Sequence, residues 1–533
     1  MKINKVKKMK RKFSVLFAYI AFISISSCDQ DFEDINNAWD SKLYKAEVSG
    51  LFNGLVSSMV KTGQHHRIPT SWLHQWNQSA AMYAASGYRL DDNVSQPWEN
   101  FYKNMANYIE MERLIEEEDE PANRVNTRAM AKIIMSYKAI NLALLYGDMP
   151  FTEAGRGFTG SDGYRPKYDT QQVVIETALT DLGVAMNSLS SDAAQISLGS
   201  SETLFGNDLD KWKKFANSLR LKYAMVIRDK DAAFADPIIS DALSKPLLAP
   251  DETFSLDPSA IPDLEINRGG YYRGNAYIRM GSTMWEAMSS DNAVDGSGIF
   301  DLRTPILFEP NEDDEWVPYP QNPDNNTASV TGNPHVDGRI NGGDWNVNRS
   351  NFATLNVYYT NIRTIPQILV SGSEISFIKA ELYNRGVGGV TADATMAETN
   401  YNEGITASVN YWFDIAMSQA QWIVNKPTAM PTTVEIDVML ANTAVAYDAD
   451  ATMALSQIYK QSWIALFHQP FDSWNLQRRT GNATPFVTPS PTSLVLDFNR
   501  LTYPASEREA NRENWKLANG GSDLETDKTW FQQ

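Results

Sequence analysis

The stretch of sequence that decides the fold lies at residues 208–228 and reads DLDKWKKFANSLRLKYAMVIR. Its apolar residues recur every three or four positions, which places them on one side of an α-helix. Asp208 precedes this run, where a carboxylate can accept hydrogen bonds from the first free N–H groups of a helix. The apolar stripe consists of Trp212, Phe215, Ala216, Leu219, Tyr223, Val226 and Ile227. The pattern therefore predicts a capped helix with one buried face.

The same helical period occurs along most of the chain. Residues 127–146 show it and are followed by Gly147 and Pro150, which end a helix, and residues 455–467 carry a third apolar stripe. Further helices are predicted near residues 44–61, 97–119, 171–189, 371–385 and 399–425. Residues 98–119 and 127–146 match a tetratricopeptide hairpin in length. The fold class is therefore predicted as mainly α, built of tetratricopeptide-like helical hairpins, with the aromatics of the stripes in the core.

The middle of the chain lacks this period. Residues 245–366 are rich in Pro, Gly, Asn and Asp, and aromatic residues are scattered among them. A long irregular segment inside a compact helical protein is often functional. We therefore predict that this insertion forms a loop-rich ligand-binding face on the helical body.

The N-terminus has the order of a lipoprotein signal peptide. Seven Lys and Arg residues lie within the first twelve positions, and an apolar run follows at residues 13–25. This run is shorter than the roughly 20 residues that a membrane-spanning helix needs. Ile25, Ser26, Ser27 and Cys28 then resemble a lipobox, and Cys28 is the only cysteine in the chain. We expect residues 1–27 to be removed, Cys28 to be lipidated, and residues 28–533 to form a single domain.

The charge of the chain excludes some partners. It holds 65 acidic and 47 basic residues, a formal net charge of −18. Nucleic-acid binding needs an excess of Lys and Arg on one face, so nucleic acid is not an expected partner. Attraction to anionic lipid is also disfavoured. Attachment to a membrane would therefore depend on the lipid anchor.

Aromatic residues in irregular segments are the candidate ligand contacts. A glycan offers flat C–H faces and a rim of hydroxyl groups, which suit an exposed Trp or Tyr ring flanked by amides and carboxylates. The first group of candidates is Trp72, Trp76 and Tyr83, and the second group is Tyr271, Tyr272, Trp316 and Trp345. For each position the alternative is a partly buried packing residue.

Catalytic and metal-binding signatures are weak. His65, His66 and His74 do not have a zinc-ligand spacing, and residues 291–301 depart from a calcium loop of the EF-hand type. The sequence has neither a phosphate-binding glycine loop nor a nucleophile elbow. Carboxylate pairs such as Asp313 and Asp314 are uninformative in so acidic a chain. We predict no catalytic residue, no metal and no cofactor.

Several short segments together resemble one known family. In chain order they are LYGDMPF at 145–151, ANSLRLK at 216–222, FDLR at 300–303, SFIKAE at 376–381, WIALF at 463–467, RRTG at 478–481 and RLTYP at 500–504. Their order across the chain is similar to that of the SusD/RagB family of nutrient-binding outer-membrane lipoproteins. The resemblance is to its SusD-like subgroup, which is described as starch-binding and associating with the outer membrane.

The resemblance implies a function as well as a fold. Family members cover a SusC-like TonB-dependent outer-membrane transporter and close over captured ligand, so we expect that transporter and an oligosaccharide or polysaccharide as partners. The expected location is the outer membrane, lipid-anchored and surface-exposed, and the expected protein is not an enzyme. Trp474, Arg478 and Arg479 lie within the family motifs and are interpreted as bracing the fold.

Three other functions stay open at this stage. A peptide-binding member of the same family would recognise carboxylates, and Arg268, Arg273 and Arg279 are available for that. An anchored hydrolase would need two carboxylates beside the aromatic wall. A structural subunit of the transporter complex would need neither.

Overall fold

The structure is a computed structural model that describes residues 46–60, 73–82, 95–157, 160–256, 278–291, 293–311, 313–321, 352–356, 366–420, 422, 424–488 and 498–533. The chain divides into a unit of residues 1–51 and a unit of residues 52–533. The fold and the site below are those of the second unit. Cys28 and the predicted signal peptide lie outside the described residues.

Helices make up most of the described chain, so the mainly α fold class is confirmed. They are α1 (Val48–Ser57), α2 (Gln96–Glu116), α3 (Val125–Tyr146), α4 (Gln171–Ser188), α5 (Leu209–Ile227), α6 (Ala232–Leu243), α7 (Ser282–Met288), α8 (Thr304–Leu307), α9 (Gly372–Arg385), α10 (Ala394–Ser418), α11 (Thr433–Leu440), α12 (Ala451–Ala465), α13 (Pro470–Arg479), α14 (Ala505–Ala510) and α15 (Arg512–Asn519). Each helix predicted from the sequence has a counterpart among them.

The strands are short. They are β1 (Ala81–Met82), β2 (Thr253–Leu256), β3 (Ile278–Arg279), β4 (Phe308–Glu309), β5 (Thr354–Leu355) and β6 (Gln367–Ser371). Strands β1, β3, β5 and β4 form one sheet in that order, and β2 pairs with β6 in another. Most of these strands, with α7 and α8, lie inside the predicted loop-rich insertion. No helix in the described part of the chain is long and apolar enough to cross a membrane.

Consecutive helices pack as hairpins. Helix α3 packs on α4, α5 on α6, and α9 on α10, while α4 also contacts α5 and α9 contacts α12. Helix α5 shows why this arrangement is stable: its apolar stripe is buried, and Asp208 accepts hydrogen bonds from the backbone N–H groups of Asp210 and Lys211. Such a cap contributes about 1 kcal/mol. The cap and the buried stripe predicted from residues 208–228 are therefore confirmed, with Val226 half-buried. Residues 215–225 are all buried, however, so this part of α5 has no exposed face.

Gly147 ends helix α3. Its φ of +90° is unfavourable for a residue with a side chain, but its ψ of −131° lies outside the left-handed helical region. The helix end predicted from Gly147 and Pro150 is therefore confirmed. The Tyr503 hydroxyl donates to the backbone carbonyl of Asp148 next to this turn, with 2.6 Å between the oxygens.

A buried ion cluster joins three helices of the core. The Lys222 Nζ of α5 lies 3.0 Å from Glu374 Oε1 of α9 and 2.8 Å from Asp472 Oδ1 of α13. All three side chains are at least 92% buried. Burial raises the pKa of Glu374 to about 7, with Lys222 opposing the rise and the Asp472 carboxylate adding to it. One negative charge at this point is therefore incompletely compensated.

The motif residues of helix α13 brace it against its neighbours. Arg479 donates from both terminal nitrogens to Glu381 of α9, at 3.0 and 2.6 Å, and both side chains are buried. The guanidinium carbon of Arg478 lies 3.5 Å from the centre of the Trp474 ring, a cation–π contact. These contacts support the structural role that was inferred for Trp474, Arg478 and Arg479.

Candidate functional site

The segments that hold several candidate residues adjoin strands of the four-stranded sheet in the sequence. Met82 of β1 pairs with Ile278 of β3 in antiparallel register. Tyr83 directly follows β1, and the segment with Tyr271 and Tyr272 leads into β3. The two segments therefore attach to the body at neighbouring points on the same end of the sheet.

Strand β5 organises the opposite end. Thr354, its first residue, pairs with Arg279 of β3 and with Glu309 of β4. The segment that carries Trp345 leads into β5, and Trp316 follows β4. Although these segments are far apart in sequence, the sheet fixes their points of attachment close together.

Five of the seven aromatic candidates lie outside the described residues: Trp72, Tyr83, Tyr271, Tyr272 and Trp345. They stay predictions. The other two, Trp76 and Trp316, can be placed.

Trp76 packs in the interior. It is 4% exposed, and its ring stacks on Phe498 with 4.3 Å between centroids and contacts Trp474 at 5.1 Å. Both contacts come from the C-terminal part of the chain. The packing alternative therefore describes Trp76 better than an exposed platform does.

Trp316 is also a packing residue. It is 9% exposed and stacks on Trp285 of α7, with 6.2 Å between centroids and 12° between ring planes. Gly296 packs closely against the same ring, since a Cβ at position 296 would lie 2.9 Å from the Trp316 ring. Neither described candidate thus offers an open ring face: Trp76 packs on the C-terminal part of the chain, and Trp316 belongs to a core that the insertion shares with helices α10 and α12.

A buried polar segment fixes β1 to the body. Residues 73–81 are all buried, and Gln78 adopts a φ of +56°. The Gln78 amide donates to the carbonyl of Val487 at 2.6 Å and accepts from its N–H at 2.7 Å, as a strand partner would. The Trp463 indole donates to the carbonyl of Asn77 at 2.9 Å. These bonds hold the sheet end rigidly relative to helix α12.

Of the histidine candidates, His65 and His66 lie outside the described residues, and the remaining histidine and carboxylate candidates do not come together in the described part of the chain. His74 is fully buried, its Nδ1 lies 2.8 Å from Ser79 Oγ, and burial lowers its pKa to about 3. Asp291 caps its own loop by accepting from the N–H of Ala293. Asp313 and Asp314 are exposed. Among the described residues, no group of three or more His, Cys, Asp or Glu could hold a metal ion.

Arg279 does not suit recognition of a peptide carboxylate. It is completely buried in β3, and its guanidinium carbon lies 5.4 Å from the centre of the Tyr319 ring. The proposed use of Arg279 in peptide binding is therefore not supported. Arg268 and Arg273 lie outside the described residues.

A surface groove that sequence reasoning missed lies beside helix α10. Its volume is about 290 Å³, and it opens between α10, the β2–β6 pair and the start of α13. The lining residues are Pro250, Asp251, Thr253, Ile368, Ser371, Ser373, Ala407, Ser408, Asn410, Tyr411, Trp412, Asp414, Met430, Ala465 and Gln469. We call this cavity the α10 groove. Its lining combines aromatic rings, hydroxyl groups, amides and carboxylates.

Part of the groove wall is fixed from behind. Arg303 and Asp301 form a completely buried ion pair, and the same guanidinium donates to the Ser408 hydroxyl at 3.3 Å. Trp412 is 2% exposed and packs on His468, with 3.9 Å between ring centroids. The signal in the sequence was the run NYWFD at residues 410–414, which lay within the helix predicted near residues 399–425.

Comparison with known proteins identifies close relatives in fold. A model of a SusD-like family, described as starch-binding associating with the outer membrane, matches residues 40–288 and 318–504. No curated protein sequence matched this chain.

Solved structures of similar fold cover nearly the whole chain. A chitin-binding protein is 21% identical, covers 91% of this chain and all of its own, and superposes with a TM-score of 0.68. A SusD homologue from Parabacteroides distasonis is 19% identical over 92% of this chain and 98% of its own, with a TM-score of 0.69. A chitin-binding SusD homologue from Flavobacterium johnsoniae is 18% identical over 91% and 98%, with a TM-score of 0.64.

Proposed function

The chain belongs to this SusD-like family of outer-membrane-associated proteins, and from that premise we propose that it captures glycan oligomers at the cell surface and delivers them to a SusC-like TonB-dependent transporter. The family match over most of the chain is the observation that carries the proposal. The protein binds and releases its ligand without altering it.

The lipid anchor is part of the proposal. Cys28 follows an apolar run that is too short to span a bilayer, and no helix among the described residues is long and apolar enough to cross a membrane. Acyl chains on Cys28 would hold the protein to one leaflet, since each buried methylene contributes about 0.8 kcal/mol. The net charge of −18 disfavours binding of the protein surface to anionic lipid head groups.

The ligand is proposed as a glycan because family and architecture favour one. Two similar structures are named chitin-binding, so oligomers of N-acetylglucosamine join starch fragments as the first ligands to test. Tyr83, Tyr271, Tyr272 and Trp345 remain candidate contacts, since their segments attach at the ends of one rigid sheet. Trp72 precedes the buried segment that anchors that sheet.

The test is calorimetric binding of the full chain, purified in detergent micelles, to starch and chitin oligosaccharides and to peptides. Every mixture is examined for cleavage products by chromatography. Saturable binding of a glycan with no new products is expected. Released sugar would identify a hydrolase instead, and binding of peptides alone would move the protein to a peptide-binding role.

Delivery to a transporter needs a separate test. Affinity purification of the native lipoprotein from outer membranes should co-purify a large TonB-dependent barrel, and a Cys28→Ala variant should be lost from that fraction. Radiolabelled palmitate should enter the wild type but not the Cys28→Ala variant. A wild-type protein without label, or one found in the soluble periplasm, would overturn the anchored-partner part of the proposal.

A further inference from the structure

We propose that the α10 groove is a saccharide subsite that takes one uncharged or amine-bearing sugar ring. The inference rests on the proposed glycan-binding function and adds a location and a ligand charge to it. The charge, hydrogen-bonding capacity and size of the groove support it.

The charge of the groove selects against acidic sugars. Asp251 and Asp414 line it and are exposed, and the described lining contains no Lys, Arg or His. A uronate or sulfated sugar would bring an anion towards two carboxylates without a compensating cation. A sugar amine would instead form a charge-assisted hydrogen bond, and a neutral hydroxyl group would donate to the same oxygens.

The groove also has unused hydrogen-bonding groups. The side chains of Thr253, Asn410 and Asp414 make no hydrogen bond to another described residue. The Asn410 amide offers both donors and an acceptor, as a ring of sugar hydroxyl groups requires. These groups lie beside the half-buried ring of Tyr411, so polar and apolar contacts are available together.

Other polar groups of the lining are already committed, which makes the wall rigid. Ser373 donates to the carbonyl of Gly404 at 2.7 Å, and the Gln469 amide donates to Asp472 at 3.4 Å. Ser408 accepts from the buried Arg303. A preorganised wall of this kind reduces the entropy lost on binding.

The size of the groove fits a short ligand segment. Its volume of about 290 Å³ lies at the lower end of the range for small-molecule sites, roughly 300–1,000 Å³. It therefore accommodates one ring of an oligomer, and the remainder would extend along the surface past the exposed Met430.

The test reverses one charge. The test variant is the full chain with Asp414→Lys, purified in detergent. The matched control is Glu398→Lys, which makes the same charge change on an exposed residue of α10 outside the groove. Calorimetry measures the dissociation constants of glucosamine, N-acetylglucosamine and glucuronate-containing oligomers. The wild type should bind oligomers of glucosamine and of N-acetylglucosamine more tightly than glucuronate-containing oligomers. Asp414→Lys should weaken glucosamine oligomers by about tenfold or more, from loss of a charge-assisted bond. Glu398→Lys should change affinity by less than about twofold, because exposed charges beyond about 8 Å are screened.

A second measurement uses the unaltered protein. Carbodiimide labelling of carboxylates, read by mass spectrometry, should show that a bound N-acetylglucosamine oligomer protects Asp251 and Asp414 but not Glu398. Glycan binding with unprotected groove carboxylates and an unaffected Asp414→Lys variant would overturn the subsite while the proposed function stands. A preference for glucuronate oligomers would overturn the charge argument. Failure of wild type to bind any glycan would overturn both proposals.

Discussion

Replacing Lys222 by methionine should destabilise the protein by about 3–5 kcal/mol at pH 7.5, since it leaves two buried carboxylates without their cation. In the wild type, Lys222 Nζ lies within 3.0 Å of both Glu374 and Asp472, and its side chain is 4% exposed. Methionine approximates the length of the lysine stem, so the packing is largely kept. The loss therefore reports the missing charge and not a cavity.

The pH dependence of stability follows from the same cluster. Burial raises the pKa of Glu374 from 4.5 to about 7 in the folded protein. A carboxyl group with a higher pKa in the folded than in the unfolded state binds protons more tightly when folded, so its contribution to stability grows as the pH falls from about 7 towards 4.5. Between pH 7.5 and 5.5 this amounts to about 1–2 kcal/mol. Lys222 lowers the pKa of Glu374, so this pKa rises further in Lys222→Met. The variant therefore gains more stability on acidification than the wild type, and the Lys222→Met penalty should be smaller at pH 5.5.

Urea unfolding followed by circular dichroism measures both effects. The matched control is Lys213→Met on the same helix, a lysine without an ion pair among the described residues, which should change stability by less than about 0.5 kcal/mol. A Glu374→Gln variant should lack the pH-dependent increment. The reasoning is refuted if Lys222→Met matches Lys213→Met at pH 7.5, or if its penalty grows on acidification.

The remaining predictions concern stability at single positions. Gly147→Ala should cost about 1–3 kcal/mol in thermal unfolding, because alanine disfavours a φ of +90° and its Cβ would lie 3.3 Å from Thr529; the absence of any shift in midpoint would contradict the strained turn. Trp76→Ala should lower the free energy of unfolding by about 3–5 kcal/mol, as expected for a buried aromatic, and leave the glycan affinity of the folded fraction unchanged. A loss of glycan affinity without a loss of stability would show instead that Trp76 contacts the ligand. Asp450→Ala should cost about 1 kcal/mol in urea unfolding, since Asp450 caps α12 through the N–H groups of Thr452 and Met453; Asp448→Ala, just outside the helix, is its comparison.

The helical body was predictable because each helix is specified by residues that lie close together in the sequence. In α5 the cap at Asp208 and the stripe from Trp212 to Ile227 are local in sequence, and the structure reproduces both within a residue. Short connections explain the pairs α5–α6 and α9–α10, whereas residues 147–170 separate α3 from α4. The short strands were not predictable, since two-residue strands such as β1 and β3 have no period of their own. These strands form because segments that are far apart in the sequence pair with each other in the fold.

The buried ion cluster shows a second limit. Lys222, Glu374 and Asp472 come from three helices, and nothing local distinguishes Lys222 from the solvent-facing lysines of α5. Its position in the helix places it on the buried side, but its partners are 152 and 250 residues further along the chain. Only the packing of α5, α9 and α13 brings the charges together.

Ligand contacts were hardest to predict because composition does not determine which face of an aromatic ring is open. Trp76 and Trp316 come from segments that the sequence predicts to be irregular, yet Trp76 lies in a helical turn and the two rings are covered by Phe498 and Trp285. Tyr411 lies inside a regular helix but borders an open groove. One residue further, Trp412 turns about 100° around the helix axis and is buried. Both rings line the α10 groove, but Trp412 also belongs to the buried core. The exposure of neighbouring aromatic residues in a helix therefore depends on which elements cover each face of that helix.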